Sequence, residues 1–360
     1  MNIKTVSCSP LFVALALLSA PVANAQETSV EETDIQSVEE AAVDPKTQAC
    51  LMEKMNQAKG ADLVSQLRDE CAVEVNGPKD TSNQGAISKR IIGERETAYN
   101  PYVITPHRMN YILPVTVTDS INRQEYKDSV PESKWAENIE ETEAKYQLSI
   151  KVPLSYDDIF TEGDEIYFGM TLQSWWQVYS EGISKPFRET NYRPEVYYIT
   201  GLDWHPLEGN TGLMFGFEHQ SNGRSNAISR SWNRIYVDFL FEKGDFAFSF
   251  KPYYRLKEDE KEILDDGSYD PDGDDNPDIN DYMGYFDLGV AYQYNNLEFF
   301  AQGRANFATH KAGLEVGMTF PLWGKLKGYV QYYGGYGESL IDYDHKQNRL
   351  GIGIALTDIL

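Results

Sequence analysis

The sequence is poor in histidine, cysteine and positive charge, and it has no long apolar run beyond its first residues. It contains 5 histidines and 3 cysteines, and 56 acidic residues outnumber 32 basic ones, for a formal net charge of −24. Nucleic acids attract basic surfaces, so we expect no nucleic-acid partner. A membrane-spanning helix needs roughly 20 apolar residues. No stretch after residue 25 provides them, so we expect either a soluble exported protein or a transmembrane barrel, whose strands escape hydropathy analysis.

The first residues, Met1–Ala25, have the pattern of an export signal. Lys4 precedes the apolar run Leu11–Leu18, and Val22–Ala25 ends in the A-x-A pattern of a cleavage site. We therefore expect residues 1–25 to be removed on export.

Residues 26–93 form a predicted extension in the periplasm. Its first part, Gln26–Lys46, is acidic, has no aromatic residue and is expected to be disordered. Ala49–Val75 has apolar residues at roughly helical spacing, which predicts short helices. An oxidising periplasm permits a disulfide between Cys50 and Cys71. Two unpaired cysteines on a helix face are the alternative.

From about Tyr102 to the C-terminus, apolar residues alternate with polar or small ones. This is the period of a β-strand, which points successive side chains to opposite faces. Clear examples are Tyr146–Val152, Phe246–Lys251, Leu314–Phe320 and Leu350–Leu356. A soluble, lectin-like calcium-binding β-sandwich also alternates, but it would expose these apolar outer faces to water.

About twelve such segments follow one another, and closed antiparallel barrels favour an even number. Aromatic pairs at strand ends, Trp175–Trp176 and Tyr332–Tyr333, resemble an interfacial girdle. The sequence therefore predicts an all-β fold, a twelve-stranded antiparallel transmembrane β-barrel over residues 94–360. Charged residues with inward parity predict a polar, filled lumen: Glu218, Arg234, Asp238 and Glu315.

One hairpin places unusual residues on the lipid-facing side. Apolar residues alternate along Leu213–Phe217, and continuing the alternation puts His219 and Ser221 on the apolar face. On the next strand, Asn233 shares the parity of Ile235–Phe239. Polar side chains are expensive on a surface that touches lipid, so this placement indicates a function there.

These three side chains fit acyl transfer. His219 can take the proton of Ser221 and make its hydroxyl nucleophilic. Asn233 can accept a hydrogen bond from the other ring nitrogen without adding a charge to an apolar setting. Together they have the roles of a catalytic triad. Two alternatives stay open: His219 and Ser221 cap a strand and begin a turn, and the barrel is a non-catalytic channel or structural anchor.

Longer motifs around this hairpin resemble the outer membrane phospholipase A family of bacteria. The residues that carry the resemblance are His219–Ser225, Ser229–Arg234, Gln173–Gln177, Pro186–Tyr192, Asp275–Asp278 and Tyr336–Tyr343. The resemblance implies a calcium-dependent phospholipase in the bacterial outer membrane. It implies hydrolysis of acyl esters of phospholipids and lysophospholipids, of A1, A2 and lysophospholipase type, and activation when the protein forms a homodimer.

The resemblance also implies residue roles. It makes Ser221 the nucleophile, His219 the general base and Asn233 the residue that orients the histidine. Backbone N–H groups around Ser221–Gly223, assisted by calcium-bound water, would stabilise the oxyanion. The implied Ca²⁺ ligands are oxygens, as this cation prefers: the Arg224 backbone carbonyl, Ser229, Asp275 and, from the partner subunit, Ser184.

Two residues depart from the family pattern. Asn226 stands where the family usually has aspartate, so we expect weaker calcium binding by the monomer. Leu360 stands where such barrels usually end in an aromatic residue, so we expect slower membrane assembly.

The acidic segment Lys257–Asp281 invites a second calcium interpretation. Asp270–Asp275 has the alternating oxygens of a calcium loop but lacks the spacing to a closing glutamate. A solvated acidic surface loop is the simpler interpretation, and the resemblance supports Asp275 alone.

Overall fold

The structure is a computed structural model. It describes residues 45–57, 67, 71, 85–95, 97, 103–129, 134–155, 158–259, 261, 264 and 273–359. The predicted signal and nearly all of the predicted acidic spacer lie outside these ranges. The chain divides into two units, residues 1–75 and 76–360. In the first, helix α1 (Pro45–Gln57) carries Cys50, which forms a disulfide with Cys71.

The second unit contains a closed barrel of twelve antiparallel strands. They are β1 (Tyr111–Thr118), β2 (Thr142–Pro153), β3 (Glu165–Trp176), β4 (Phe187–Leu202), β5 (Asn210–Ser221), β6 (Ser231–Lys243), β7 (Phe246–Leu256), β8 (Phe286–Tyr294), β9 (Leu297–Asn306), β10 (Lys311–Trp323), β11 (Leu326–Tyr336) and β12 (Lys346–Ala355). Each strand pairs with its chain neighbours, and β12 closes the barrel on β1. A two-residue strand, Thr105–Pro106, adds to β2. The predicted fold class and strand number are confirmed.

The two ends of the barrel differ. At one end, two-residue turns connect strands at 244–245, 295–296 and 324–325, and at the other end long loops span 119–141, 222–230 and 257–285. In outer-membrane barrels short turns face the periplasm and long loops face outward. Helices described in the second unit include α2 (Ala86–Arg95), α3 (Arg123–Ser129), α4 (Trp135–Asn138), α5 (Ile279–Met283) and two 3₁₀ turns, Pro206–Glu208 and Asn226–Ile228. No helix within the described ranges is long and apolar enough to cross a membrane.

Side chains alternate across the barrel wall as the period of two predicts. Phe215 and Phe217 are 54% and 42% exposed on the outer face, whereas the intervening Gly216 and Glu218 are buried. The predicted girdle position of Trp175 is wrong. Trp175 is fully buried inside the barrel, where Lys145 lies over its ring, because its strand parity points it inward.

Charged side chains fill the lumen. Glu218 has no exposed surface and forms ion pairs with Arg108, Arg193, Arg234 and Lys251. A buried carboxylate needs such partners because leaving water is expensive for an unpaired charge. The predicted polar, hydrogen-bonded interior is therefore present.

Helix α2 packs at the turn end of the barrel. Arg90 donates hydrogen bonds to the backbone carbonyls of Ile359 and His107, at 2.6 and 3.2 Å. Glu94 pairs with Lys151 of β2 at 2.6 Å. Burial acts to raise the pKa of Glu94, but Arg90 and Lys151 outweigh it and hold the pKa below its ordinary value. The predicted start of the barrel domain, residue 94, lies within this helix.

Candidate active site

The hairpin of β5 and β6 brings the three predicted catalytic residues together. His219 lies directly opposite Asn233, and Ser221 lies opposite Ser231. On its other side, Ser221 is paired with Tyr192 of β4. The three predicted residues share the outward face with Phe217 and are half-buried. The site is therefore on the barrel wall near the loop end, as their parity predicts.

A hydrogen bond fixes the state of the histidine. His219 Nδ1 and Asn233 Oδ1 are 2.9 Å apart. An amide oxygen only accepts hydrogen bonds, so Nδ1 carries the proton. A neutral imidazole with its proton on Nδ1 has an unprotonated Nε2, which is the form needed in a general base.

A third residue is linked to His219 and Asn233 by a second hydrogen bond. Asn233 donates through Nδ2 to Glu258 Oε1, at 2.6 Å. Glu258 follows β7, and sequence reasoning did not single it out. Glu258 lies an even number of residues beyond Phe250 and Tyr254, so it continues their outward orientation. This alternation is the feature of the sequence that could have identified it.

The loop after Ser221 is held by a buried asparagine. Asn222 Nδ2 donates to the Ile228 carbonyl at 2.8 Å. Its Oδ1 accepts from the backbone N–H groups of Arg224 and Arg230, at 3.2 and 3.0 Å. One side chain thus ties both ends of the loop together and fixes the backbone next to Ser221.

Gly223 turns the chain immediately beyond this point. Its φ of +62° is in the left-handed region, and a Cβ there would lie 3.2 Å from the Tyr192 ring. The Asn222 N–H donates to the Arg230 carbonyl at 3.0 Å, so it is already engaged. Among the residues that the structure describes, no acceptor is paired with the Gly223 N–H.

Oxygen atoms converge on Asp275. Ser229 Oγ and Ser231 Oγ donate to its Oδ2 at 2.7 and 3.2 Å, and Lys261 forms an ion pair with its Oδ1. A carboxylate and hydroxyl oxygens are the donors that Ca²⁺ prefers, so this set fits the cation. Lys261, which the sequence did not indicate, places a competing positive charge on the same carboxylate.

The other predicted ligands lie in neighbouring loops. The Arg224 guanidinium donates to the backbone carbonyls of Phe187 and Arg188, at 2.8 and 3.2 Å, which links its side chain to the start of β4. Ser184 is exposed in the loop between β3 and β4. The side chain of Asn226 and residues 270–272 of the segment Asp270–Asp275 lie outside the described residues.

Carboxylate, histidine and cysteine side chains that lie close together can hold a metal ion. Within the part of the chain that is described, no group of three or more such side chains could hold a metal ion.

The sequence over residues 87–356 matches the family model for phospholipase A1. The chain belongs to this family. A phospholipase A1 of Klebsiella pneumoniae is 37% identical over 278 residues, which cover 77% of this chain and 89% of that protein. The Escherichia coli K12 phospholipase A1 is 35% identical, with 77% of this chain and 88% of that protein covered. This confirms the family that the motifs indicated.

Solved structures of the family have the same fold as this phospholipase. Outer membrane phospholipase A from Escherichia coli is 34% identical, with a TM-score of 0.66, and the match covers 75% of this chain and 98% of that one. An outer membrane phospholipase dimer of Salmonella typhi with bound calcium is 35% identical, with a TM-score of 0.67 and the same coverage. The barrel is therefore an outer-membrane protein.

Proposed function

We propose that this outer-membrane phospholipase hydrolyses acyl esters of phospholipids and lysophospholipids with Ser221 as the nucleophile. The hydrogen bond from His219 to Asn233 is the observation that carries the proposal, because it leaves Nε2 free to take a proton. Attack of the Ser221 hydroxyl oxygen on the ester carbonyl forms an acyl-enzyme and releases the lysolipid alcohol. Water then attacks the acyl-enzyme, releases the fatty acid and regenerates the hydroxyl.

We propose that His219 carries the proton between Ser221 and the leaving group. His219 Nε2 accepts the Ser221 proton as the bond to the carbonyl carbon forms, and then gives it to the departing alkoxide. Asn233 keeps the imidazole in one tautomer and orientation throughout. Its neutral amide suits a wall that faces lipid, where a carboxylate directly on the histidine would need costly desolvation.

The oxyanion needs donors on the loop side of Ser221. We expect the backbone N–H of Gly223, two residues beyond Ser221 in the left-handed turn, to provide one. Calcium, held by Ser229, Asp275 and the Arg224 carbonyl, would supply positive charge near the developing negative charge.

The position of the site on the outer wall of the barrel predicts the route by which a substrate reaches it. All three residues face outward from the wall, beside apolar side chains that we expect to contact acyl chains. A substrate would therefore arrive from the lipid layer and not through the lumen. We place the N-terminal residues 26–93 on the periplasmic side, with the barrel domain following.

We expect fatty-acid release from mixed phospholipid–detergent micelles to require calcium. Chelation should lower the rate by about 10²-fold or more, because it removes one oxyanion-stabilising charge. The measurement is initial rate against free calcium, with magnesium at equal concentration as the control cation. Equal rates in chelator and in calcium would contradict the proposal.

We further propose that the active form is a homodimer in which the partner subunit's Ser184 contributes an oxygen to the calcium site. Ser184→Ala should then shift the calcium titration to higher concentration by about tenfold, the effect of losing roughly 1.4 kcal/mol of ligand energy. Ser184→Thr keeps a hydroxyl and is the matched control. An unchanged titration midpoint for the alanine variant, with dimer formation intact by cross-linking, would exclude this ligand.

A further inference from the structure

We infer that Glu258 is a positioning residue of this phospholipase, which acts through Asn233 to hold His219 in its reactive orientation. The inference rests on the proposed catalytic roles of Ser221, His219 and Asn233. The juxtaposition that carries it is the 2.6 Å hydrogen bond from Asn233 Nδ2 to Glu258 Oε1.

The strand register delivers Glu258 to this place. Leu256 at the end of β7 is paired with Asn233 of β6. Glu258 continues the outward parity of β7 two residues further, so its side chain lies on the same face of the wall as Asn233. The backbone is held just beyond it, because the Asp259 carbonyl accepts from Asp274 N–H at 2.7 Å. Glu258 thus lies at the start of the loop that follows β7, where the register of β7 and this backbone contact position it beside Asn233.

The hydrogen bond to Glu258 determines which end of the Asn233 amide faces His219. An amide has a donor end and an acceptor end of nearly equal shape, and only the acceptor end can receive the His219 Nδ1 proton. If the amide were reversed, its NH₂ group would face that N–H and the histidine would be released or change tautomer. A carboxylate accepts and does not donate, so Glu258 fixes the NH₂ end on its own side and the oxygen on the His219 side.

The charge of Glu258 has a second consequence. Proton transfer from Ser221 makes His219 positive, and a negative group at the far end of the hydrogen-bond chain stabilises that charge. Glu258 is half-buried and lies at the strand end. It can therefore stay partly hydrated, and the negative charge is provided without placing a carboxylate directly against the histidine in the lipid layer.

A swap of the two groups tests the inference. Asn233→Asp alone places two carboxylates face to face, so we expect kcat to fall at least tenfold. Adding Glu258→Gln to this variant restores the hydrogen bond in the opposite direction, from the amide at position 258 to the carboxylate at position 233. We expect the double variant to recover most of the lost kcat. Glu258→Ala alone should lower kcat about tenfold with little change in KM, because it disturbs the histidine and not substrate binding. Asp259→Asn, which removes a neighbouring exposed charge, is the matched control and should behave as wild type.

The outcomes separate this inference from the proposed function. If the double variant is no more active than Asn233→Asp, or if Glu258→Ala keeps the wild-type kcat, Glu258 is only a structural tie and the inference is wrong. If wild type itself releases no fatty acid with calcium present, or if Ser221→Ala remains active, the proposed function fails first. Urea midpoints of all variants show whether a lower rate reflects a loss of fold.

Discussion

Ser221→Ala is expected to lower fatty-acid release by about 10⁴-fold or more while the barrel stays folded. The hydroxyl is the group that forms the acyl-enzyme, and no neighbouring side chain replaces it. Ser231 lies opposite Ser221, but its hydroxyl donates to Asp275 Oδ2 at 3.2 Å. The measurement is initial rate in calcium-containing mixed micelles, normalised to protein that migrates as a folded barrel.

A double variant tests whether Ser221 and His219 act together in the same step. Because nucleophile and base act as a unit, the double variant Ser221→Ala/His219→Ala should be no worse than Ser221→Ala alone. Ser225→Ala, an exposed serine in the same loop, is the matched control and should retain activity. If the activity losses of the two single variants multiply in the double variant, His219 acts independently of Ser221.

The barrel and the face of the site could be predicted because both follow from the period of two along a strand. His219, Ser221 and Asn233 are close together for the same reason that Phe217 and Ile235 both face outward. Antiparallel pairing converts parity on two adjacent strands into contact on one face. The resemblance to the phospholipase motifs indicated the catalytic chemistry, which the alternation of side chains along the strands does not indicate by itself.

The groups that were missed depend on the path of loops. Glu258 is 25 residues from Asn233 along the chain, and Lys261 reaches Asp275 from a segment with no regular period. Trp175 shows a different error. Its type suggested the membrane interface, but its parity on β3 points it into the lumen, where it contacts Lys145 and Glu338. Aromatic residues serve both the girdle and the lumen, so residue type alone does not assign them.

The loop end of the barrel is fastened by a buried ion network just inside the wall that carries the site. Arg188 of β4 pairs with Glu143 of β2 at 2.8 Å and with Asp342 of the β11–β12 loop at 2.9 Å. Arg349 of β12 joins Glu143 and Glu338, at 2.9 Å each. All five side chains are at most 1% exposed. Three strands and one loop are thus linked through charges that water does not screen.

Arg188→Met is therefore expected to destabilise the folded barrel by about 3–5 kcal/mol. Methionine fills much of the arginine volume but leaves the carboxylates of Glu143 and Asp342 with fewer positive partners in a dry environment. The measurement is urea unfolding in lipid vesicles, followed by tryptophan fluorescence. The midpoint should fall while the slope, which reports the surface exposed on unfolding, stays constant.

Lys243→Met is the matched control for this experiment. Its ion pair with Glu208 is at the turn end and largely exposed, and pairs of that kind contribute about 0–1 kcal/mol. Equal midpoints for the two methionine variants would show that the buried network does not hold the loop end.

The Arg188 carbonyl also accepts from Tyr126 and Arg224, at 2.8 and 3.2 Å. A shift of this strand end would reach the active-site loop, so Arg188→Met should lower kcat even where the barrel remains folded, whereas Lys243→Met should not.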